Sequence, residues 1–335
     1  MSPREYDESD VRIRPSRRKP PRSKDRPTHG NSISALVTTV DRGRQRCITS
    51  DGVIVTAMRA RELGPKSVVV GDMVSLVGDV SGDEGTLARI VLVRDRRNSL
   101  SRTVDDAAQV ERTIVANIDQ LVIVVATINP EPRRGLIDRF LVSAFTEGIT
   151  PKIVVTKTDL SEVPAFLKDY SELDVEIIST AIKSDSRKKD LEKLHQILDG
   201  KISVLVGHSG VGKSTLINAL APEADRSTGE VNAATGRGRH TSSSAIAMPL
   251  PGDSGWIIDT PGIRAFGLSH IDNQLIVDAF SDLSLVAATC LSNCSHDENG
   301  CMLDAWSQPD GVPDTHRTAR LASLRSLLSV KNCPL

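Results

Sequence analysis

The segment GHSGVGKST at residues 207–215 constrains the fold more than any other feature of this chain. It matches the pattern G-x-x-x-x-G-K-[ST], in which a glycine-rich turn joins the end of a strand to the start of a helix. The apolar residues 202–206 precede it, and helical spacing begins at Lys213. The sequence therefore predicts a phosphate-binding loop within an α/β fold.

In such a loop, consecutive backbone N–H groups at a helix N-terminus surround the phosphates of a nucleotide. We expect Lys213 to reach the β- and γ-phosphates and Ser214 to bind Mg²⁺. The residues predicted to contact the nucleotide here are Gly207, His208, Ser209, Gly210, Val211, Gly212, Lys213, Ser214 and Thr215.

A second motif, DTPG at residues 259–262, directly follows an apolar strand pattern. An acid at the end of a strand beside a phosphate loop, here Asp259, can hold Mg²⁺ through water, and the N–H of Gly262 can contact a γ-phosphate. Between the two motifs, residues 229–244 are rich in Gly, Ser and Thr. We predict a loop there, with Thr241 as the second hydroxyl ligand of Mg²⁺.

The segment VTKTD at residues 155–159 has the form of a base-recognition motif. The Asp159 carboxylate can accept from N1–H and N2–H₂ of guanine together, a donor pair that adenine lacks, so we expect GTP to be selected. Main-chain N–H groups of residues 179–181 would contact guanine O6. Thr156 stands where Asn is usual in guanine-binding proteins, which removes a bidentate side chain. The predicted base-binding residues are Thr156, Lys157, Asp159, Ser179 and Thr180.

The order of these motifs is unusual, because the base motifs precede the phosphate loop and the DTPG motif follows it. In ordinary GTPases the phosphate loop comes first and the base motif last. One domain can hold all of them only if it is circularly permuted. Strand and helix patterns alternate over residues 113–268, and the apolar run at residues 120–127 is typical of a strand buried on both faces. We therefore predict a parallel sheet for this region.

Residues 34–112 contain short runs rich in Val, Ile and Thr, with turn residues between them. Roughly five such runs predict an OB-type barrel. Residues 30–139 contain no Phe, Tyr or Trp, so contact with RNA would use basic side chains on the backbone of a folded RNA. Solvated charges are the simpler explanation of the candidates Arg94, Arg96, Arg97 and Arg102.

The first 33 residues are predicted to form a basic, flexible arm. Residues 11–30 hold eight basic residues and one acid, several prolines and almost no apolar side chains. The chain as a whole has a net charge of −1, so the basic character is local. Such an arm suits a polyanionic partner, and a solvated tail that binds nothing is the alternative.

Three of the five cysteines lie within twelve residues, beside a histidine. The set is Cys290, Cys294, His296 and Cys301. Three thiolates and an imidazole form a tetrahedral ligand set for structural Zn²⁺. Buried cysteines without a metal are the alternative. We predict one zinc ion in a mainly helical domain at residues 269–335.

This order of motifs, with a barrel before it and a Cys/His segment after it, resembles the circularly permuted, small-subunit-dependent GTPases of the RsgA type. The resemblance spans about residues 34–305 and rests on LIDRFLV (136–142), TKTDL (156–160), GHSGVGKST (207–215), GRGRHTS (236–242), DTPGIRAFG (259–267) and the Cys/His cluster. It implies an α/β fold: a circularly permuted P-loop GTPase domain, an N-terminal OB-type β-barrel and a C-terminal, mainly helical zinc-binding domain. It also implies a ribosome-stimulated GTPase that acts late in 30S maturation, near the decoding region.

The group that orients the attacking water departs from the usual pattern. Most GTPases place a Gln after D-x-x-G, but Ile263 stands there and cannot form a hydrogen bond. Within the family-like GRGRHTS segment, His240 is the candidate for this role, beside Thr241 and Gly262. The Cys/His spacing also departs from the family, which usually has one more residue in each of two gaps.

Two other functions stay open on sequence alone. One is an RNA-binding assembly factor whose nucleotide pocket does not turn over, and the other is an ATP-dependent kinase. The complete set of phosphate-site residues argues against the first, and Asp159 argues against the second. The expected partners are the small ribosomal subunit, its rRNA and GTP or GDP, with no membrane and no second copy. Without a long apolar run or an apolar segment after the basic N-terminus, we expect a cytoplasmic protein.

Overall fold

Five short strands with alternating apolar residues close into a barrel. The computed structural model describes residues 31–41, 43–64, 67–105, 110–222, 245–260, 273–278, 280–298 and 300–330. The barrel strands are β1 (Ile33–Asp41), β2 (Arg44–Thr49), β3 (Ile54–Arg59), β4 (Met73–Gly78) and β5 (Ala88–Val93). Their order is β1–β2–β3–β5–β4, and β4 pairs again with β1. Only β3 and β5 run parallel within this set, which confirms the predicted OB-type barrel.

A hairpin that the sequence patterns did not predict leads from the barrel into the next domain. It consists of β6 (Ser99–Asp105) and β7 (Val110–Ala116). Gly71, which follows Val70 in the loop before β4, approaches this hairpin so closely that a Cβ there would lie 2.1 Å from the Ala116 carbonyl oxygen. The N–H of Ala116 in turn donates to the Val70 carbonyl at 3.0 Å. The hairpin base is thus fixed to the barrel.

The predicted α/β domain is confirmed as a sheet with helices on both faces. Its strands are β8 (Gln120–Ala126), β9 (Thr150–Thr156), β10 (Glu176–Ser179), β11 (Lys201–Val206), β12 (Ile246–Pro249) and β13 (Gly255–Asp259). Their order is β12–β13–β11–β8–β9–β10, in which only β12 is antiparallel to its neighbour. All seven residues of β8 are buried. The helices are α1 (Arg134–Thr146), α2 (Arg187–Leu198) and α3 (Lys213–Leu220), with a 3₁₀ helix at Ala165–Leu173.

The C-terminal region is helical, as predicted. Its helices are α4 (Asn273–Asp278), α5 (Ser281–Ala287), α6 (Met302–Ser307) and α7 (Thr315–Val330). Helix α7 packs against the 3₁₀ helix and buries Leu321, Leu324, Leu327 and Leu328. Arg320 of α7 donates to both carboxylate oxygens of Asp282, at 2.8 and 2.9 Å, and to the Asp174 carboxylate at 2.9 Å. None of the described helices is long and apolar enough to cross a bilayer.

The barrel and the α/β sheet form one continuous sheet of eleven strands. Their junction is the pairing of β12 with β1, at Ile246 and Thr39. On its other side, Ile246 is paired with Asp259 of β13. The predicted domain boundaries stay predictions: the first two fall within β1 and β7, and the third lies outside the described residues.

Candidate functional site

The predicted phosphate loop connects β11 to α3 at the carboxyl end of the sheet. Gly207 has a φ of 145°, and a Cβ there would lie 2.2 Å from the Val124 carbonyl oxygen of β8. Gly210 and Gly212 have φ values of 84° and 97°, which also favour glycine. The loop therefore lies directly on β8 and ends at the positively polarised N-terminus of α3. The exposed loop residues are His208, Ser209, Gly210, Ser214 and Thr215, whereas Val211 is buried.

Lys213 and Asp259 place a cation and a carboxylate at this loop. The Lys213 ammonium donates to the carbonyl oxygens of Gly207 and His208, at 2.5 and 3.1 Å. Burial lowers the pKa of Lys213, and the charge of Asp259 opposes that shift. Burial likewise raises the pKa of Asp259, and the positive charge of Lys213 opposes that shift. The pair can offer a cation to a phosphate and a carboxylate to a hydrated Mg²⁺, so this donor set fits both groups.

The base motif lies at the end of β9, next to the end of β10. Asp159 and Ser179 are exposed there, whereas Thr180 is buried. The N–H of Thr180 donates to the Val155 carbonyl and that of Ala181 to the Asp190 carboxylate, both at 2.8 Å. Two of the three N–H groups expected at guanine O6 thus have protein acceptors. The O6 contact stays a prediction.

Lys157 binds the segment between β8 and α1, which lies beside the phosphate loop. Its backbone has a φ of 59°, and its ammonium donates to the Ile128 carbonyl at 3.1 Å and to that of Asn129. Pro130, which follows Asn129, lies close to the phosphate loop. A Cβ added to Gly210 would be 3.6 Å from the Pro130 Cδ. The sequence gives no reason to expect a role for this segment. No local pattern marks it, since its contacts are with residues far away in the sequence.

Thr156 joins the two halves of the predicted site. Its side chain is buried, and its hydroxyl lies 3.1 Å from the Val125 carbonyl oxygen and 2.5 Å from that of Val211. A Cβ on Gly212 would lie 3.5 Å from the same hydroxyl. The base motif and the phosphate loop are therefore in direct contact, although about fifty residues separate them along the chain. Thr156 thus contacts the loop backbone, although its place in the motif predicts a contact with the base.

Thr260 holds the start of the DTPG motif. Its hydroxyl donates to the Leu205 carbonyl at 3.0 Å, and only 2% of the residue is exposed. This bond ties the end of β13 to β11, the strand that leads into the phosphate loop. From the sequence, Thr260 is expected only as part of the motif. The sequence hints at this structural role only through the position of Thr260, directly after the acid that ends β13.

The four predicted metal ligands come together in the C-terminal region. One ligand atom from each of Cys290, Cys294, His296 and Cys301 lies within 4.8 Å of all the others. The sulfurs of Cys290 and Cys301 are 3.7 Å apart, and Cys301 Sγ is 3.8 Å from His296 Nδ1. Burial lowers the pKa of His296, which favours the neutral imidazole that binds metal. The separations of 3.7 and 3.8 Å are close to the edge of a tetrahedron with Zn–S bonds of about 2.3 Å, so the donor set fits Zn²⁺.

Comparison with known proteins decides the family. Residues 93–269 match the RsgA GTPase family. The small ribosomal subunit biogenesis GTPase RsgA of Chlorobaculum tepidum is 35% identical over 309 residues, which cover 90% of this chain and 96% of that protein. The chain belongs to the RsgA GTPase family. The RsgA protein of Alcanivorax borkumensis is 36% identical over 269 residues, which cover 79% of this chain and 74% of that protein.

Two solved structures share the RsgA fold seen here. YjeQ from Thermotoga maritima covers 89% of this chain and 99% of its own, with a TM-score of 0.63 and 24% identity. YloQ, described as a circularly permuted GTPase, covers 93% of this chain and 100% of its own, with a TM-score of 0.61 and 20% identity. The predicted circular permutation is thereby confirmed.

Three residues of the predicted RsgA-type site lie outside the described residues. They are His240, Thr241 and Gly262. Residues 1–30, which contain almost the whole predicted basic arm, also lie outside. The roles assigned to them remain predictions.

Two of the four candidate arginines of this RsgA-family chain form ion pairs with protein carboxylates, and Arg97 stays largely exposed. Arg96 donates to both carboxylate oxygens of the fully buried Asp72, at 2.7 and 2.9 Å. Arg97 donates to Asp119 at 2.9 Å. Arg94 is exposed, and the side chain of Arg102 lies outside the described residues. The outer barrel face offers further exposed or half-buried arginines, namely Arg44, Arg46 and Arg89.

Proposed function

We propose that this protein is a GTPase that the small ribosomal subunit stimulates, and that it acts late in the maturation of that subunit. Hydrolysis of GTP to GDP and phosphate would drive its release. The observation that carries the proposal is the contact between Thr156 and Val211, because it brings the base motif and the phosphate loop to one edge of the sheet. The family relatives, named for biogenesis of the small subunit, supply the partner.

The residues divide into three roles. Backbone N–H groups of residues 207–212 surround the phosphates, and Lys213 reaches the β- and γ-phosphates. Ser214 and Thr241 would be ligands of Mg²⁺ and Asp259 would hold it through water; when bound, the ion would neutralise charge on the phosphates. Asp159 accepts from the guanine edge and selects GTP.

Steady-state hydrolysis with purified subunits tests this function. We expect slow turnover by the protein alone, because Ile263 cannot orient water, and faster turnover with small subunits but not with large ones. Competition binding with ATP measures the base preference in the same preparation. Equal turnover with both kinds of subunit, or tighter binding of ATP than of GTP, would contradict the proposal.

His240→Ala should leave GTP binding intact and remove most of the subunit-stimulated turnover. The reason is that His240 is the candidate for positioning the attacking water. A general acid or base typically increases the rate about 10²–10⁴-fold. Nucleotide affinity and stimulated turnover are measured side by side. His316→Ala is the control for loss of an exposed imidazole, because His316 lies in α7 and not among the predicted nucleotide-binding residues. Unchanged stimulated turnover in His240→Ala would remove this role.

We also propose that the Cys/His cluster holds one structural Zn²⁺. Cys301→Ser should lower the zinc content of the purified protein, measured by atomic absorption, from one ion per chain towards zero. The buried Cys47→Ser is the matched control, because its thiol lies in the barrel and burial raises its pKa to about 12. Full zinc content in Cys301→Ser would argue against Cys301 as a ligand.

The remaining partners follow from the same function. We propose that the outer barrel face, with Arg44, Arg46 and Arg89, contacts the phosphate backbone of folded rRNA, since the barrel lacks aromatic side chains for stacking bases. The protein would act as a monomer in the cytoplasm, where ribosomal subunits are assembled. GTP and GDP are its small-molecule partners.

A further inference from the structure

One carboxylate accepts two hydrogen bonds from the loop between β10 and α2. Asp190, in the first turn of α2, accepts two hydrogen bonds on one oxygen, from the Ala181 N–H at 2.8 Å and from the Ser186 hydroxyl at 2.7 Å. The carbonyl of Ala181 is fixed as well, because the hydroxyl and the N–H of Ser184 both donate to it, at 2.8 and 2.9 Å. Both polar groups of the Ala181 backbone are therefore held in place.

This fixed backbone leads directly to the base motif. Thr180, joined to Ala181, donates its N–H to the Val155 carbonyl at 2.8 Å and accepts from the Thr158 N–H at 3.3 Å. Thr158 immediately precedes Asp159, the predicted guanine acceptor. The Asp190 carboxylate is thus connected to the residue before Asp159 by one side-chain hydrogen bond, the Ala181–Thr180 peptide linkage and one backbone hydrogen bond.

Asp159 depends on that backbone for its orientation. Its side chain is exposed, and within the described parts of the chain its carboxylate has no hydrogen bond or ion pair to a protein group. For a carboxylate without partners of its own, the backbone alone fixes the Cβ from which it reaches the base, and therefore which directions are open to it. Hydrogen bonding to two donors of one base edge needs that direction to be right within a narrow range.

We propose that Asp190 is a positioning residue for base recognition. Its carboxylate holds Ala181, the Ala181–Thr180 backbone holds Thr158, and the Asp159 carboxylate is thereby directed at the base. The inference rests on the proposed function, since it assigns Asp190 to the same guanine site. It goes beyond that function by naming a residue that sets specificity without touching the nucleotide.

The test measures the affinities of the full-length protein for GDP and for IDP, which lacks the N2 amine of guanine. Asp190→Ala should bind GDP about tenfold more weakly and discriminate less between GDP and IDP, because a hydrogen-bonded pair at the base edge is lost. Asp190→Asn should stay close to the wild-type protein, since its amide oxygen can still accept both hydrogen bonds. Asp185→Ala is the matched control, because Asp185 is an exposed acid of the same loop.

A double-mutant cycle distinguishes positioning from a general loss of stability. If Asp190 acts through Asp159, Asp190→Ala should have little further effect on GDP affinity in an Asp159→Ala background. Additive losses, or an Asp190→Ala protein that behaves like Asp185→Ala, would overturn the proposal. So would tighter GDP binding by Asp190→Ala, which would mean that its carboxylate competes with guanine for the Ala181 N–H.

The same cycle separates this inference from the function on which it rests. If Asp159→Ala leaves both GDP affinity and the preference over IDP unchanged, the guanine site itself is wrongly assigned. If Asp159→Ala weakens GDP binding and Asp190→Ala does not, only the positioning role fails.

Discussion

Gly207→Ala is expected to abolish measurable nucleotide binding. The added Cβ would lie 2.2 Å from the Val124 carbonyl oxygen and 3.2 Å from its carbon, both in the backbone of a fully buried strand. Neither partner can move without breaking β8 from its neighbours. A φ of 145° is also unfavourable for any residue with a side chain. The loop must therefore leave β8, and its N–H groups no longer converge on the phosphates.

The same substitution should lower the free energy of unfolding by about 2–5 kcal/mol, from overpacking and backbone strain together. Binding of a fluorescent GDP analogue and denaturant unfolding, followed by tryptophan fluorescence, measure the two effects. Gly135→Ala is the matched control, because Gly135 lies in α1 and a Cβ there would meet nothing within 4 Å. Normal GDP affinity in Gly207→Ala would contradict the loop geometry.

Arg320→Met should weaken the attachment of α7 to the GTPase domain. Arg320 is 7% exposed, and its guanidinium holds Asp282 of α5, Asp174 and the carbonyl of Glu172 together. Removing one partner of a fully buried ion pair costs about 3–5 kcal/mol. Here the Asp174 side chain is 83% exposed and stays hydrated, so we expect a loss of about 2–3 kcal/mol in the free energy of unfolding.

Hydrogen exchange locates that loss. Amides of α7 and of the 3₁₀ helix at Ala165–Leu173 should exchange faster in Arg320→Met, whereas those of the barrel should not change. Lys168→Met is the control for loss of a cation on the facing 3₁₀ helix, because Lys168 is exposed. Unchanged exchange in α7 would show that apolar packing alone holds the helix.

The sequence predicted the elements whose pattern is local. The run QLVIVVA became β8, buried at every position, because a central parallel strand has apolar neighbours on both faces. The glycine spacing at residues 207–212 predicted a tight turn between strand and helix, since φ values of 84°, 97° and 145° there favour glycine. The Cys/His cluster was likewise predicted correctly as a group, because its members are neighbours in sequence.

Other features depend on partners distant in the sequence, and no pattern reveals them. Arg96 looked like a surface charge in a basic stretch, but it pairs with the buried Asp72, which lies 24 residues earlier, just before β4. Thr156 was predicted to contact the base, whereas its hydroxyl contacts Val211 of the phosphate loop. The β6–β7 hairpin was missed because its polar strands lack the apolar alternation of a half-buried strand.

The pairing of Ile246 has a mechanical consequence. Ile246 is paired with Thr39 of β1 on one side and with Asp259 of β13 on the other, beside the phosphate loop. Within the eleven-stranded sheet, this one residue therefore connects the barrel strand β1 to the strand that ends at Asp259. A displacement of β1 against the sheet would therefore act first on β12 and, through it, on the end of β13 that carries Asp259.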